Sequence, residues 1–144
     1  DRKYFKKELF FTDVEGKTKD EVLKNLCRKV EQEKGLPETF TASVLKREEL
    51  TPTDYGNLVA LPHPERAFQE RAFVAVAVLK EPVFWFRQKV QVVFLTAIGR
   101  EEDENLQQFY EATTDLILRP ADVQNLIRHP DYDRLIQLLR RAEE

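Results

Sequence analysis

Only two histidines occur in this chain, His63 and His129, and the first is set in a rigid frame. Residues 57–68 read NLVALPHPERAF, an apolar run that stops at Pro62-His63-Pro64. Pro64 disfavours the helical region for the residue before it, so His63 is pushed towards an extended conformation. Pro62 fixes its own φ and offers no N–H. The imidazole therefore projects from a stiff segment at an expected strand end, where ligands often sit in α/β sheets. Imidazole has an ordinary pKa of about 6.5 and presents a neutral, nucleophilic ring nitrogen near pH 7. From these local features two readings stay open: a loop histidine of no consequence and a reacting one.

Other chemistries are poorly supplied. A serine triad needs a nucleophile, a base and an orienter, and Ser43, the only serine, lies mid-helix among charged neighbours. Zinc sites want clustered Cys and His, whereas this chain has one cysteine and two distant histidines. Phosphate-cradling loops need glycine, and the four glycines form no such pattern. The acidic runs Glu101-Glu102-Asp103-Glu104 and Glu31/Glu33 read as solvated helix faces. Cys27 falls on an apolar helical stripe and reads as core. His129, just before Pro130, reads as a helix-end residue.

The elements that must position His63 are visible in the periodicity. ELFFTD (8–13) reads as a short strand ended by Gly16. Thr18-Lys19-Asp20-Glu21 has the form of a capping box. Val22, Leu23, Leu26, Cys27 and Val30 follow at helical spacing, and Gly35 suits the helix end. A second helix is expected from Glu38 to about Leu50, with Phe40, Val44 and Leu45 on one face. TPTDYG (51–56) is turn chemistry. LVAL (58–61), AFVAVAVL (72–79) and KVQVVFLTAI (89–98) read as strands. Such continuous apolar runs suit strands covered on both faces. EPVFWF (81–86) reads as a connection or edge segment, because Pro82 argues against a central strand. Residues 102–118 carry Leu106, Phe109, Tyr110, Thr113, Leu116 and Ile117 at a helical period. Pro120 opens a further short helix, and YDRLIQLLRRAE closes the chain. This order predicts one α/β domain over residues 1–144, with a mixed β-sheet sandwiched between helices.

The bulk numbers bound the partners. A length of 144 residues allows one domain with a sizeable core. The net charge of −3 argues against direct nucleic-acid binding, which favours a basic excess. The uncharged run Val90–Ile98 is far short of a membrane span. A lone cysteine fits a reducing cytoplasm. The absence of methionine, even at residue 1, suggests a piece of a longer protein.

LKREELTPTDYGNLVALPHP (45–64) resembles the active-site signature of the mannitol/fructose-type EIIA domains of the bacterial phosphoenolpyruvate:sugar phosphotransferase system. That signature is an Arg-Glu pair, a turn with threonine, a glycine, and an apolar strand ending in Pro-His. The later strands and the helical tail follow in the family's order, so the resemblance runs from about residue 8 to 141. It implies that His63 accepts a phosphoryl group from phospho-HPr through a ring nitrogen, with no metal and no cofactor. It also implies that Arg47 and Thr53 sit near the phosphoryl oxygens.

One position departs from the pattern. Transport-type domains carry a second histidine in a Glu-His-Leu run, which here reads Glu104-Asn105-Leu106. Asn105 keeps a hydrogen-bond donor for a phosphoryl oxygen but supplies no positive charge. GNLVALPHP and FFTD resemble the EIIA-like domains at the C-terminus of transcriptional regulators that carry phosphotransferase-regulation domains. The implied partners are phospho-HPr as donor, then EIIB or the remainder of a regulator, with no membrane insertion and a homodimer left open. A second class of function is a non-catalytic interaction module that kept the fold.

Overall fold

The computed structural model describes residues 3–101 and 106–143. The elements run β1 (Phe5–Phe11), α1 (Lys19–Lys34), α2 (Thr39–Leu50), β2 (Asp54–Gly56), β3 (Val59–Ala60), β4 (Phe73–Phe84), β5 (Lys89–Ala97), α3 (Leu106–Ile117), α4 (Pro120–Arg128) and α5 (Tyr132–Glu143). The five strands form one sheet in the order β1-β4-β5-β3-β2. It is mixed: β1–β4 and β3–β5 pair in parallel, while β4–β5 and β2–β3 are antiparallel.

Helices cover both faces of this sheet. Along β4, Phe73, Ala75, Ala77 and Leu79 join a core with Leu23, Leu26, Cys27 and Phe40 of α1 and α2. The alternate residues Val74, Val76 and Val78 join a second core with Phe109, Leu116, Leu126 and Leu135 of α3, α4 and α5. Side chains alternate across a strand, so a strand buried on both faces must be apolar at every position. That is why AFVAVAVL reads as an unbroken run.

The helix ends follow their local chemistry. The Thr18 hydroxyl accepts from the Glu21 N–H at 3.2 Å, and Glu21 accepts from the Lys17 N–H at 2.8 Å. Gly35 closes α1 with φ of 65°, a left-handed value that glycine adopts freely. The start of α2 has no side-chain cap of its own. Glu31 of α1 supplies one instead, accepting from Thr41 N–H at 2.9 Å and Thr41 Oγ1 at 2.6 Å. Glu31 is therefore a half-buried cap between two helices, not the solvated residue its neighbours suggest.

Two segments differ from the sequence reading. TPTDYG is not only a turn, because Asp54–Gly56 forms the edge strand β2. A two-residue loop, Asn57-Leu58, joins it to β3, and both residues have positive φ, 53° and 67°. This is the backbone sign that tight hairpin loops demand. The second difference is EPVFWF, whose first residues continue β4 to Phe84. The register shifts between Val78 and Val83, and Pro82 lies in that irregularity. Gln91 bridges the gap, donating to the Leu79 and Lys80 carbonyls at 2.9 and 3.3 Å. Proline is tolerated because a bulge demands no ladder N–H there. Among the described residues, no helix is long and apolar enough to cross a membrane.

Candidate functional site

β3 and β5 run in parallel, and His63 lies just beyond the end of β3. Each residue around it is tied to a different element. Leu61 N–H donates to the Thr53 carbonyl at 3.1 Å and to Thr53 Oγ1 at 3.2 Å. The Pro62 carbonyl accepts from Thr96 N–H of β5 at 3.0 Å. Both prolines are buried while His63 is half-exposed. After Pro64, Glu65 N–H donates to the Ser43 hydroxyl of α2 at 2.7 Å. The imidazole is thus held on a segment fixed before and after it, and His63 stays partly open to solvent between two buried prolines.

Among the described residues the ring has one hydrogen-bond partner. His63 Nδ1 lies 3.2 Å from the Leu61 carbonyl oxygen. A carbonyl only accepts, so this contact needs a proton on Nδ1. In the neutral ring Nε2 then carries the lone pair and is the nucleophilic nitrogen.

His63 opens into a cleft of about 730 Å³ that is also lined by Arg47, Thr51, Thr53, Asp54, Tyr55, Thr96, Tyr110 and Thr114. The cleft is rich in hydroxyl groups and contains one guanidinium. Arg47 is half-buried near the end of α2, and its Nη1 donates to the Thr51 carbonyl at 2.9 Å. Among the described residues it has no carboxylate partner. Its remaining N–H groups are available to a phosphate-like anion, whose oxygens match the guanidinium fork. Asp54, the one carboxylate among the described lining residues, is engaged by the backbone N–H groups of Arg87 and Gln88 at 2.7 and 3.0 Å. Tyr110 is 40% exposed, and its partial burial raises the phenol above its ordinary value, so its hydroxyl stays a neutral donor.

His63, Arg47 and Thr53 therefore share one cleft. The Thr53 hydroxyl is already committed, donating to Glu48 at 2.9 and 3.0 Å and accepting from Leu61 N–H. Asn105 lies outside the described residues. His129 ends α4, its N–H donating to the Asn125 carbonyl at 2.9 Å, and it does not line the cleft. Cys27 is fully buried in the core. Among the described residues, no three His, Cys, Asp or Glu side chains gather as metal ligands would.

Sequence reasoning missed two residues that hold the site. Ser43 is only 8% exposed and anchors the segment after His63. Glu48 is 1% exposed and accepts from Thr53 and from Trp85 Nε1. A signal for Glu48 was present: it continues the buried stripe Phe40, Val44 at i, i+4, i+8. A carboxylate on a buried stripe marks a polar network.

An imidazole and a guanidinium thus share one hydroxyl-lined cleft at a strand end of a helix-covered mixed sheet, an arrangement suited to a phosphate-like anion. Residues 3–142 match the family model described as phosphoenolpyruvate-dependent sugar phosphotransferase system, EIIA 2, and the chain belongs to that family. It is 36% identical over 133 residues to the probable licABCH operon regulator of Bacillus subtilis (strain 168), covering 92% of this chain and 21% of the regulator. It is 27% identical over 120 residues to transcriptional regulator ManR of the same organism, covering 83% of this chain and 18% of ManR. The chain thus spans about a fifth of the length of these relatives. Its fold is similar to a chain in the complex of enzyme IIAMTL and phosphorylated enzyme IIBMTL from Escherichia coli. That match has a TM-score of 0.76 and 17% identity, covering 94% of this chain and 97% of that one.

Proposed function

We propose that His63 accepts a phosphoryl group from phospho-HPr on Nε2, and that the phosphorylated domain regulates a sugar-responsive transcriptional regulator. The observation that carries this reading is the Leu61 carbonyl 3.2 Å from His63 Nδ1, which leaves Nε2 as the free ring nitrogen. In the transfer, the Nε2 lone pair forms the new N–P bond. The old P–N bond breaks, and its electron pair returns to the donor's imidazole. The Nδ1 proton stays on His63 against the Leu61 carbonyl, which favours the positive charge the ring gains. Arg47 would hold the phosphoryl oxygens, since such transfers depend mostly on positioning and charge stabilisation. Thr53 acts indirectly, by fixing Leu61, because its one hydroxyl proton goes to Glu48.

The regulatory context draws on the likeness to the licABCH operon regulator and ManR. Asn105, where the transport-type pattern has histidine, fits a domain that records phosphorylation better than one that passes it quickly to EIIB. Such a domain would meet phospho-HPr in the cytoplasm.

The test is incubation with phosphoenolpyruvate, Enzyme I and HPr, followed by intact mass and acid treatment. An acid-labile gain of one phosphoryl group is expected, together with its loss in His63→Ala. No gain, beside a control EIIA that is labelled, would overturn the reading. Efficient onward transfer to an EIIB would favour a transport role instead. Phosphorylation-independent HPr binding without labelling would point to a non-catalytic module.

A further inference from the structure

The β4–β5 hairpin is tied to the histidine loop through a buried carboxylate. Glu48 is 1% exposed, and every hydrogen-bond partner it has is a donor. Trp85 Nε1, from the hairpin, donates to Glu48 Oε2 at 2.9 Å. Thr53 contributes both its backbone N–H and its hydroxyl. Asp54, the next residue, ties the same hairpin from the other side by accepting from Arg87 and Gln88 N–H. An isolated buried carboxylate is costly, and an apolar core residue would fill the stripe of α2 at less cost. Glu48 therefore calls for a role beyond packing.

The donor and acceptor directions supply one. An ionised carboxylate only accepts. The single Thr53 hydroxyl proton must then point at Glu48, so the oxygen meets Leu61 N–H with a lone pair, at 3.2 Å. The Ala60–Leu61 peptide is fixed as a result. The Leu61 carbonyl, in the next peptide, lies 3.2 Å from His63 Nδ1 and sets which ring nitrogen bears the proton. The donations converge on Glu48: His63 Nδ1–H gives to the Leu61 carbonyl, Leu61 N–H to Thr53, and both the Thr53 hydroxyl and Trp85 Nε1 to Glu48.

We propose that Glu48 is a positioning residue for His63, and that Trp85 makes the β4–β5 hairpin part of the device that selects Nε2. This inference rests on the phosphoryl-acceptor reading above. Glu48→Gln keeps the shape but turns one acceptor into a donor facing other donors. Trp85→Phe removes the indole N–H along with part of the ring volume and keeps an aromatic ring in the core.

Two measurements decide the matter. The first is the labelling rate at saturating phospho-HPr, with the phospho-HPr concentration that gives half that rate. The second is the ring 15N spectrum of His63, which reports its tautomer. For folded Glu48→Gln, the saturating rate should fall about 10- to 100-fold, as misplacement of a reacting group does. The half-saturating concentration should stay unchanged, and the Nδ1–H pattern should give way to mixed tautomers. Trp85→Phe should show a smaller change in the same direction. A purely structural role would lower stability yet leave the rate of the folded fraction and the tautomer alone, and that result would overturn the proposal. If Glu48→Gln does not fold, Trp85→Phe carries the same test, and an unchanged rate and tautomer in it would overturn the proposal. If wild type takes no label at all, the phosphoryl-acceptor reading fails, while the tautomer comparison still decides whether Glu48 positions the ring.

Discussion

The Glu65 backbone N–H donates to the Ser43 hydroxyl at 2.7 Å, across 22 residues of sequence. This bond clamps the segment after Pro64 to the middle of α2, where Ser43 is buried. Ser43→Ala leaves that N–H without its acceptor. A loss of about 1 kcal/mol is expected. Urea unfolding should show a lower midpoint and an unchanged slope.

Among the described residues Arg47 makes one hydrogen bond, to the Thr51 carbonyl at 2.9 Å in an exposed setting. Its removal should therefore move the thermal midpoint little. Phosphoryl acceptance should respond strongly, falling roughly 100-fold in Arg47→Ala, as when a charge-stabilising donor is deleted. Arg47→Lys keeps the charge but not the planar fork, so it should recover only part of the rate. Initial rates of labelling from phospho-HPr check both variants. Full activity in Arg47→Ala would exclude contact with the phosphoryl group.

Cys27 has 0% exposure in the core beneath α1. Burial pushes its thiol far above the ordinary range, and the charge of Glu31 adds to this. The thiolate is the reactive form, so native protein should resist iodoacetamide at pH 8 and react fully in urea. Cys27→Ser buries a hydroxyl in an apolar core and should cost about 1–3 kcal/mol. Mass spectrometry after alkylation and urea unfolding test the two statements.

Tyr110 lines the His63 cleft, and burial raises its phenol above the ordinary value of 10.0. As pH rises, the unfolded chain ionises this phenol first. The contribution of Tyr110 to stability is therefore complete below about pH 10 and is lost as the pH climbs through the folded value. Tyr110→Phe should remove that alkaline loss. It should also delete a late component from the ultraviolet titration of the tyrosines. Identical alkaline stability profiles for the two proteins would contradict this.

Much of the fold could be read from local chemistry. Thr18 and Gly35 bound α1 because caps act within a few residues. The apolar runs at 72–79 and 89–98 signalled strands covered on both faces, and they are the central pair β4–β5. Pro82 misled because a bulge, which depends on the partner strand and on Gln91, decides whether proline fits. The edge strand β2 was hidden because three residues carry too little pattern to outweigh a turn signature.

The sequence by itself determined most of the elements, the two-sided burial of the central strands and the stiff presentation of His63, since each depends on neighbours a few positions away. Tertiary structure alone decided what surrounds that histidine. Ser43 reaches Glu65, and Trp85 reaches Glu48 across 37 residues. The Leu61 carbonyl faces His63 Nδ1, and the N–H of the same residue donates to Thr53, eight residues earlier. Partners of this kind are set by chain topology and the directions of hydrogen bonds, and neither leaves a period in the amino-acid sequence.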